Sequence, residues 1–155
     1  MNKKIMVKDV FFDLDHTLWD FDKNSMLAFK RVFKKFKINI EFDAFIKIYE
    51  PINVEYWKKY REDKVSKENL RRGRLIDSFN FFDLIYTTEK IDKIADAYIQ
   101  ELPNDNHLFE GAVEILDYLT LKYKLHIITN GFEEVQYKKL KNSGIVHYFS
   151  TVTTS

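Results

Sequence analysis

No cysteine occurs among the 155 residues, which excludes a disulfide framework and any thiolate metal site. That absence fits a reducing compartment. No run approaches the roughly 20 consecutive apolar residues that cross a bilayer, so no membrane partner is expected. Met1-Asn2-Lys3-Lys4 could open a secretion signal, but Lys8, Asp9 and Asp13 interrupt the adjoining apolar stretch. The expectation is therefore a soluble cytoplasmic protein. Charge of one sign is not in excess either. The 25 basic and 24 acidic residues leave a formal net charge of +1, which argues against a nucleic-acid partner. The chain also lacks internal repeats and low-complexity tracts.

What it does have is material for a core. Apolar residues make up 45% of the chain and aromatic residues 16%, enough to pack one domain or one core carrying an inserted subdomain. A short apolar segment from near Ile5 to Phe12 ends at an acidic turn and predicts a buried strand. Between about 19 and 106 the period becomes helical. Phe29, Val32, Phe33 and Phe36 share one face of a helix over 25–36, with Asp22, Asn24 or Ser25 as its cap. Phe42, Phe45, Ile46 and Tyr49 begin a second helix, which Pro51 is expected to kink or restart. Ser66 opens a third over 67–79. Ile91, Ile94, Ala95, Tyr98 and Ile99 form the stripe of a fourth that starts at Thr87 or Thr88. Pro103-Asn104-Asp105 makes a turn. The pattern then reverts to a helix over 110–121, a buried strand over 125–129, a helix over 133–142 with Gly144 as its cap, and a β-prone tail over 148–154. Strand, helical insert, helix, strand, helix, strand is the order of an α/β sheet with an insertion after its first strand.

Two clusters carry chemistry. Residues two apart in an extended segment point to the same side, so Asp13 and Asp15 share a face at the carboxyl end of the first strand. In an open α/β sheet that end borders the ligand crevice. Paired carboxylates repel one another unless a cation sits between them, and a hard dication such as Mg2+ meets that need. The competing reading is a polar turn in which Asp15 or Thr17 merely caps the next element. The second cluster, Thr129-Asn130-Gly131, lies after another apolar strand. There a hydroxyl and backbone N–H groups could line an oxyanion pocket, and Gly131 would allow close backbone approach. Its competing reading is an ordinary strand-to-helix turn.

Val10-Phe11-Phe12-Asp13-Leu14-Asp15-His16-Thr17-Leu18 resembles the first motif of the haloacid dehalogenase (HAD) superfamily, an apolar strand ending in Asp-x-Asp-x-Thr-Leu. The resemblance implies that Asp13 is a nucleophile forming an aspartyl-phosphate, and that Asp15 acts as general acid and then general base. It also implies Mg2+ as cofactor, held by the Asp13 carboxylate and the backbone carbonyl of Asp15. Dehalogenases of this superfamily lack the second Asp, so Asp15 favours phosphoryl transfer. Leu14 stands where the ion-pump branch has Lys. Leu125-His126-Ile127-Ile128-Thr129-Asn130-Gly131 is similar to the second motif, which implies phosphate binding by Thr129, Asn130 and Gly131.

The implied fold is a Rossmann-like α/β core over 1–18 and 107–155, with a helical cap subdomain over 19–106. Trp19, Phe21, Tyr56 and Trp57 suit packing within that cap. Arg74 and His16 are secondary candidates for substrate contact, while His107, His126 and His147 read as structural.

The stretch from Val10 to Phe21 looks closest to the pyrimidine 5′-nucleotidase branch, described as house-cleaning enzymes for noncanonical nucleotides. That implies a nucleoside 5′-monophosphate as the small-molecule phosphate ester. A sugar-phosphate or phosphoglycolate phosphatase, a phosphomutase of the same superfamily, and a noncatalytic binding module stand as alternatives. The superfamily also uses a later lysine, often followed by proline, and a later acidic pair. Neither precedes Ser155, so the C-terminal part of the core sheet is expected beyond it, and residues 1–155 alone are expected to turn over slowly. Lys138, Lys139 and Lys141 are expected to point away from the cleft. Glu133 and Glu134 read as first-turn helix charges.

Overall fold

Three strands run parallel in the order β1-β2-β3: Asp9–Phe12 (β1), Lys124–Thr129 (β2) and Phe149–Thr154 (β3). Parallel neighbours need long crossovers. The β1–β2 crossover carries most of the helices, and the β2–β3 crossover carries one. The computed structural model describes residues 6–154, so the expected start of the first strand at Ile5 lies outside them. Val10 pairs with Leu125 and Phe12 with Ile127, which brings the carboxyl ends of β1 and β2 out side by side. Leu125, Ile127 and Thr129 are buried on β2. β1 occupies an edge of the described sheet, and its Phe11 is 59% exposed. His126 bridges all three strands, with Nε2 2.9 Å from Asp9 Oδ1 and Nδ1 2.7 Å from Thr151 Oγ1.

The chain divides into two compact units, Met1–Leu27 with Leu102–Ser155, and Ala28–Glu101. The first holds the sheet together with α5 (Ala112–Thr120) and α6 (Glu133–Asn142). Gly144, at φ 74°, ends α6 in the left-handed region that glycine adopts without strain, and Ile145 N donates back to the Leu140 carbonyl. Asn24 is fully buried and fastens the two chain segments of this unit. Its Nδ2 donates to the His107 carbonyl at 2.9 Å, and its Oδ1 accepts from His107 N at 3.0 Å.

The second unit is helical. The α1 helix (Phe21–Phe36) carries the chain into it, followed by α2 (Phe42–Arg61), α3 (Lys67–Asn80) and α4 (Thr88–Glu101). Helix α1 begins ahead of its predicted start. Helix α2 continues through Pro51 for 20 residues, so the proline does not restart it. A proline removes one ladder hydrogen bond, but the apolar face continues past it and favours a single helix. Ser66 caps α3 as expected, accepting from Asn69 N. Asp22, Asn24 and Ser25 instead lie inside α1, and Asp20 Oδ1 accepts from Lys23 N at its start. Helix α2 is capped by Glu41, whose two oxygens accept from Asp43 N and Ala44 N. The core is aromatic. Phe29 stacks on Tyr98 at 4.1 Å between centroids, and Phe45 on Phe79 at 5.4 Å. Arg31 ties the ends of the unit, with Nε 2.6 Å from Glu101 Oε2.

Candidate active site

Asp13 and Asp15 leave the end of β1 in a tight turn. Leu18 N and Trp19 N both donate to the Leu14 carbonyl, and His16 N donates to the Trp19 carbonyl. His16 takes φ 59°, and this left-handed residue reverses the chain immediately after Asp15. Asp13 is exposed, with Oδ1 accepting from Leu14 N at 2.8 Å. Asp15 is partly buried and fully engaged. Lys139 Nζ lies 2.7 Å from its Oδ1 and 2.9 Å from its Oδ2, and Gln136 Nε2 donates to Oδ2 at 3.0 Å.

The same Gln136 amide donates to Thr129 Oγ1 at 2.9 Å. One side chain therefore joins the acidic turn after β1 to the hydroxyl at the end of β2. An amide nitrogen carries two protons, and both are used here, so Thr129 accepts from Gln136 and keeps its own proton for a further acceptor. Gly131 makes the link possible. A Cβ at that position would lie 2.7 Å from Gln136 Cδ, so the space open at this glycine is taken up by the glutamine. Asn130 is exposed at the strand end.

Lys139 overturns an expectation. It was expected to point away from the cleft, yet it is 1% exposed and reaches Asp15. The reason is helical phase. Val135, Gln136, Lys139 and Leu140 form the buried stripe of α6, and Gln136 and Lys139 are i, i+3 neighbours on it. The ammonium lies 4.3 Å from the Trp19 ring centroid and 5.3 Å from that of Phe21, within cation–π range of both. Burial pushes the Lys139 ammonium down from its ordinary value, against the pull of the Asp15 carboxylate and, more weakly, that of Asp13. Sequence reasoning missed both residues of α6. The available signal was two polar side chains in phase with Val135 and Leu140.

The other candidates lie elsewhere. His16 is exposed, with Nδ1 3.7 Å from Asp22 Oδ1 and its ring beside Phe21. Arg74 is 3% exposed inside the helical unit, where Nη1 donates to Asn53 Oδ1 at 2.7 Å and the guanidinium lies over the Tyr49 and Tyr98 rings. Those contacts give it an interior packing role rather than a surface one.

The model for haloacid dehalogenase-like hydrolases matches residues 10–155, a span that includes both motifs. The chain belongs to the haloacid dehalogenase-like hydrolase family. Among curated relatives, it is 33% identical over 150 residues to the pyrimidine 5′-nucleotidase PynA of Streptococcus pneumoniae. It is 28% identical over 146 residues to the pyrimidine 5′-nucleotidase YjjG of Escherichia coli. These alignments cover 96% and 94% of the chain, which spans 61% of the length of each relative. A crystal structure of the HAD-hydrolase YfnB from Bacillus subtilis, described as bound to magnesium, superposes with a TM-score of 0.88 at 24% identity. That match covers 97% of this chain and 66% of the YfnB chain. L-2-haloacid dehalogenase from Xanthobacter autotrophicus gives a TM-score of 0.70 at 20% identity over 96% of this chain and 57% of its own. These similarities establish the α/β HAD-like fold.

The donor set at the turn constrains how a HAD-type cation would bind. Both Asp15 carboxylate oxygens face Lys139, so its side chain is not presented to a metal. The Asp13 carboxylate is exposed and can be. Among the described residues, no group of three or more acidic or histidine side chains is placed to hold an ion. One carboxylate and one backbone carbonyl still suit Mg2+, which keeps several waters and takes further oxygens from a phosphate. No helix among the described residues is long and apolar enough to cross a membrane.

Proposed function

We propose that the protein carrying this chain is a magnesium-dependent phosphohydrolase acting on nucleoside 5′-monophosphates through an aspartyl-phosphate. The observation that carries this reading is the Gln136 link, which holds Asp15 and Thr129 in one hydrogen-bonded set beside Asp13. An Asp13 oxygen attacks phosphorus as the bond to the ester oxygen breaks, and Asp15 delivers a proton to that leaving oxygen. Water then attacks the aspartyl-phosphate, Asp15 takes its proton, and the phosphorus–Asp13 bond breaks to free phosphate and regenerate the carboxylate. Thr129 donates its remaining proton to a phosphate oxygen, with the backbone N–H groups of Asn130 and Gly131 as further donors. The Asp13 carboxylate and the Asp15 backbone carbonyl would hold Mg2+, which would supply charge compensation for the phosphoryl group.

The nucleotide preference rests on the likeness to PynA and YjjG, whose names state pyrimidine 5′-nucleotidase. A glyceraldehyde 3-phosphate phosphatase from Methanothermobacter thermautotrophicus, 27% identical over 161 residues, favours a sugar-phosphate substrate as the second reading. A panel of nucleoside monophosphates and sugar phosphates, assayed with and without Mg2+, separates the two. Asp13→Asn should abolish turnover of whichever ester is accepted. Unchanged turnover in that variant refutes the nucleophile assignment.

A further inference from the structure

We infer that Lys139 is a positioning residue which, together with Gln136, fixes the Asp15 carboxyl group for proton transfer to the leaving group. The inference rests on the phosphatase reading of the site and adds to it a residue outside both motifs.

A free aspartate turns about a broad, roughly two-fold torsion at its carboxylate, so a turn alone leaves its oxygens undirected. Here three donor contacts from α6 close that freedom: Lys139 Nζ to Oδ1 at 2.7 Å and to Oδ2 at 2.9 Å, and Gln136 Nε2 to Oδ2 at 3.0 Å. Lys139 is itself held. It is 1% exposed, and its ammonium lies against the Trp19 and Phe21 rings. Trp19 is fully buried, and its backbone hydrogen bonds to Leu14 and His16 belong to the same turn that carries Asp15. The lysine thus registers against that turn twice, through the carboxylate and through the indole.

A purely stabilising ion pair is the rival explanation. Burying an ammonium costs several kcal/mol, and apolar side chains of similar volume serve stability as well or better. A stability role alone therefore gives no reason for a charge here. Accurate orientation of a proton donor does, because misplacement by about 1 Å can cost a hundredfold in rate.

The test uses the full protein and two esters that differ in their need for a proton. A nucleoside 5′-monophosphate expels a poor alkoxide leaving group, whereas p-nitrophenyl phosphate expels a stabilised phenolate. Lys139→Met should lower kcat on the nucleotide by about 100-fold with KM little changed, the scale of a lost general-acid contribution. The loss on the aryl ester should be less than about one-tenth of that, because its leaving group scarcely needs protonation. Lys139→Arg should restore most of the nucleotide rate. In an Asp15→Asn background, Lys139→Met should add no further loss.

Equal losses on the two esters, or additive losses with Asp15→Asn, overturn the inference. Should the methionine variant fail to fold, Lys139→Gln keeps the length and a donor without the charge, and the same two esters decide. A wild-type protein that hydrolyses neither ester, with Asp13→Asn no different, overturns the phosphatase reading and this inference with it. A wild-type protein that hydrolyses both, with parallel losses in the variant, overturns only the role of Lys139.

Discussion

A Cβ on Gly131 would lie 2.7 Å from Cδ of Gln136 and 2.9 Å from its Nε2, so the glycine after the second strand and the glutamine of the next helix occupy one space. The glutamine reaches Asp15 and Thr129 only because that space is open.

Gly131→Ala should therefore displace Gln136 and unlink the two motifs. Overpacking of this kind costs about 1–3 kcal/mol, which a urea titration would read directly. Adding Gln136→Ala to the alanine variant should recover part of that stability, while phosphatase activity stays low in both. A Gly131→Ala protein as stable and active as its parent would sink the assignment.

Arg74 offers a choice between packing and substrate contact. It sits in the aromatic interior of the helical unit on Asn53, Tyr49 and Tyr98, and its Nε has no hydrogen-bond partner among the described residues. Arg74→Met should be close to neutral in stability, because an apolar side chain of similar length removes a buried charge. Asn53→Leu strands the guanidinium and should cost about 1–3 kcal/mol. Neither change should alter KM by more than about threefold, a difference under 1 kcal/mol. A large KM effect for Arg74→Met alone would return it to the substrate site.

Glu41 caps α2 with both carboxylate oxygens. The hydrogen bonds from Asp43 N and then Ala44 N hold its carboxyl below the usual carboxylate range. A depressed folded-state value means that the stabilisation is present above the usual range and is lost as pH falls through it. The melting temperature of Glu41→Gln should fall below that of the parent near neutrality, and the gap should close in acid. A gap that persists unchanged in acid contradicts the cap.

Asn24 carries two hydrogen bonds to the backbone of His107, 83 positions away in sequence. Asn24→Ala should destabilise the first unit by about 1–3 kcal/mol. Hydrogen exchange should locate the loosened amides at His107 and its neighbours, with β2 still protected. Uniform loss of protection would argue against a local fastening.

The class of fold, the order of elements and the bounds of α6 were all legible from periodicity and caps. The inward face of α6 was not. Lysines normally lie outside, and that prior assigned Lys138, Lys139 and Lys141 alike. Lys139 departs from it because its partner, Asp15, stands 124 positions earlier and arrives only when β1 pairs with β2. Local sequence carries no trace of that meeting except the helical phase shared with Val135 and Leu140. Pro51 differs in the opposite sense: a restart was one of the two outcomes the local rule allowed, and helix α2 instead continues through it. Arg74 looked like a cleft residue because it closes an arginine-rich stretch. Arg71 and Arg72 do form surface pairs, with Asp96 and Asp92 respectively, while Arg74 turns into the aromatic interior.

The Gln136 amide also gives the site a polarity. Its nitrogen only donates, so Thr129 Oγ1 receives on one side and keeps its own proton to give on the other. The hydrogen-bond chain therefore runs in one direction, from α6 through the hydroxyl and outward. What suits its open end is an atom rich in lone pairs, such as an anionic oxygen. If Thr129 lines a phosphate site as proposed, its free proton would favour an anionic oxygen before size or shape enters.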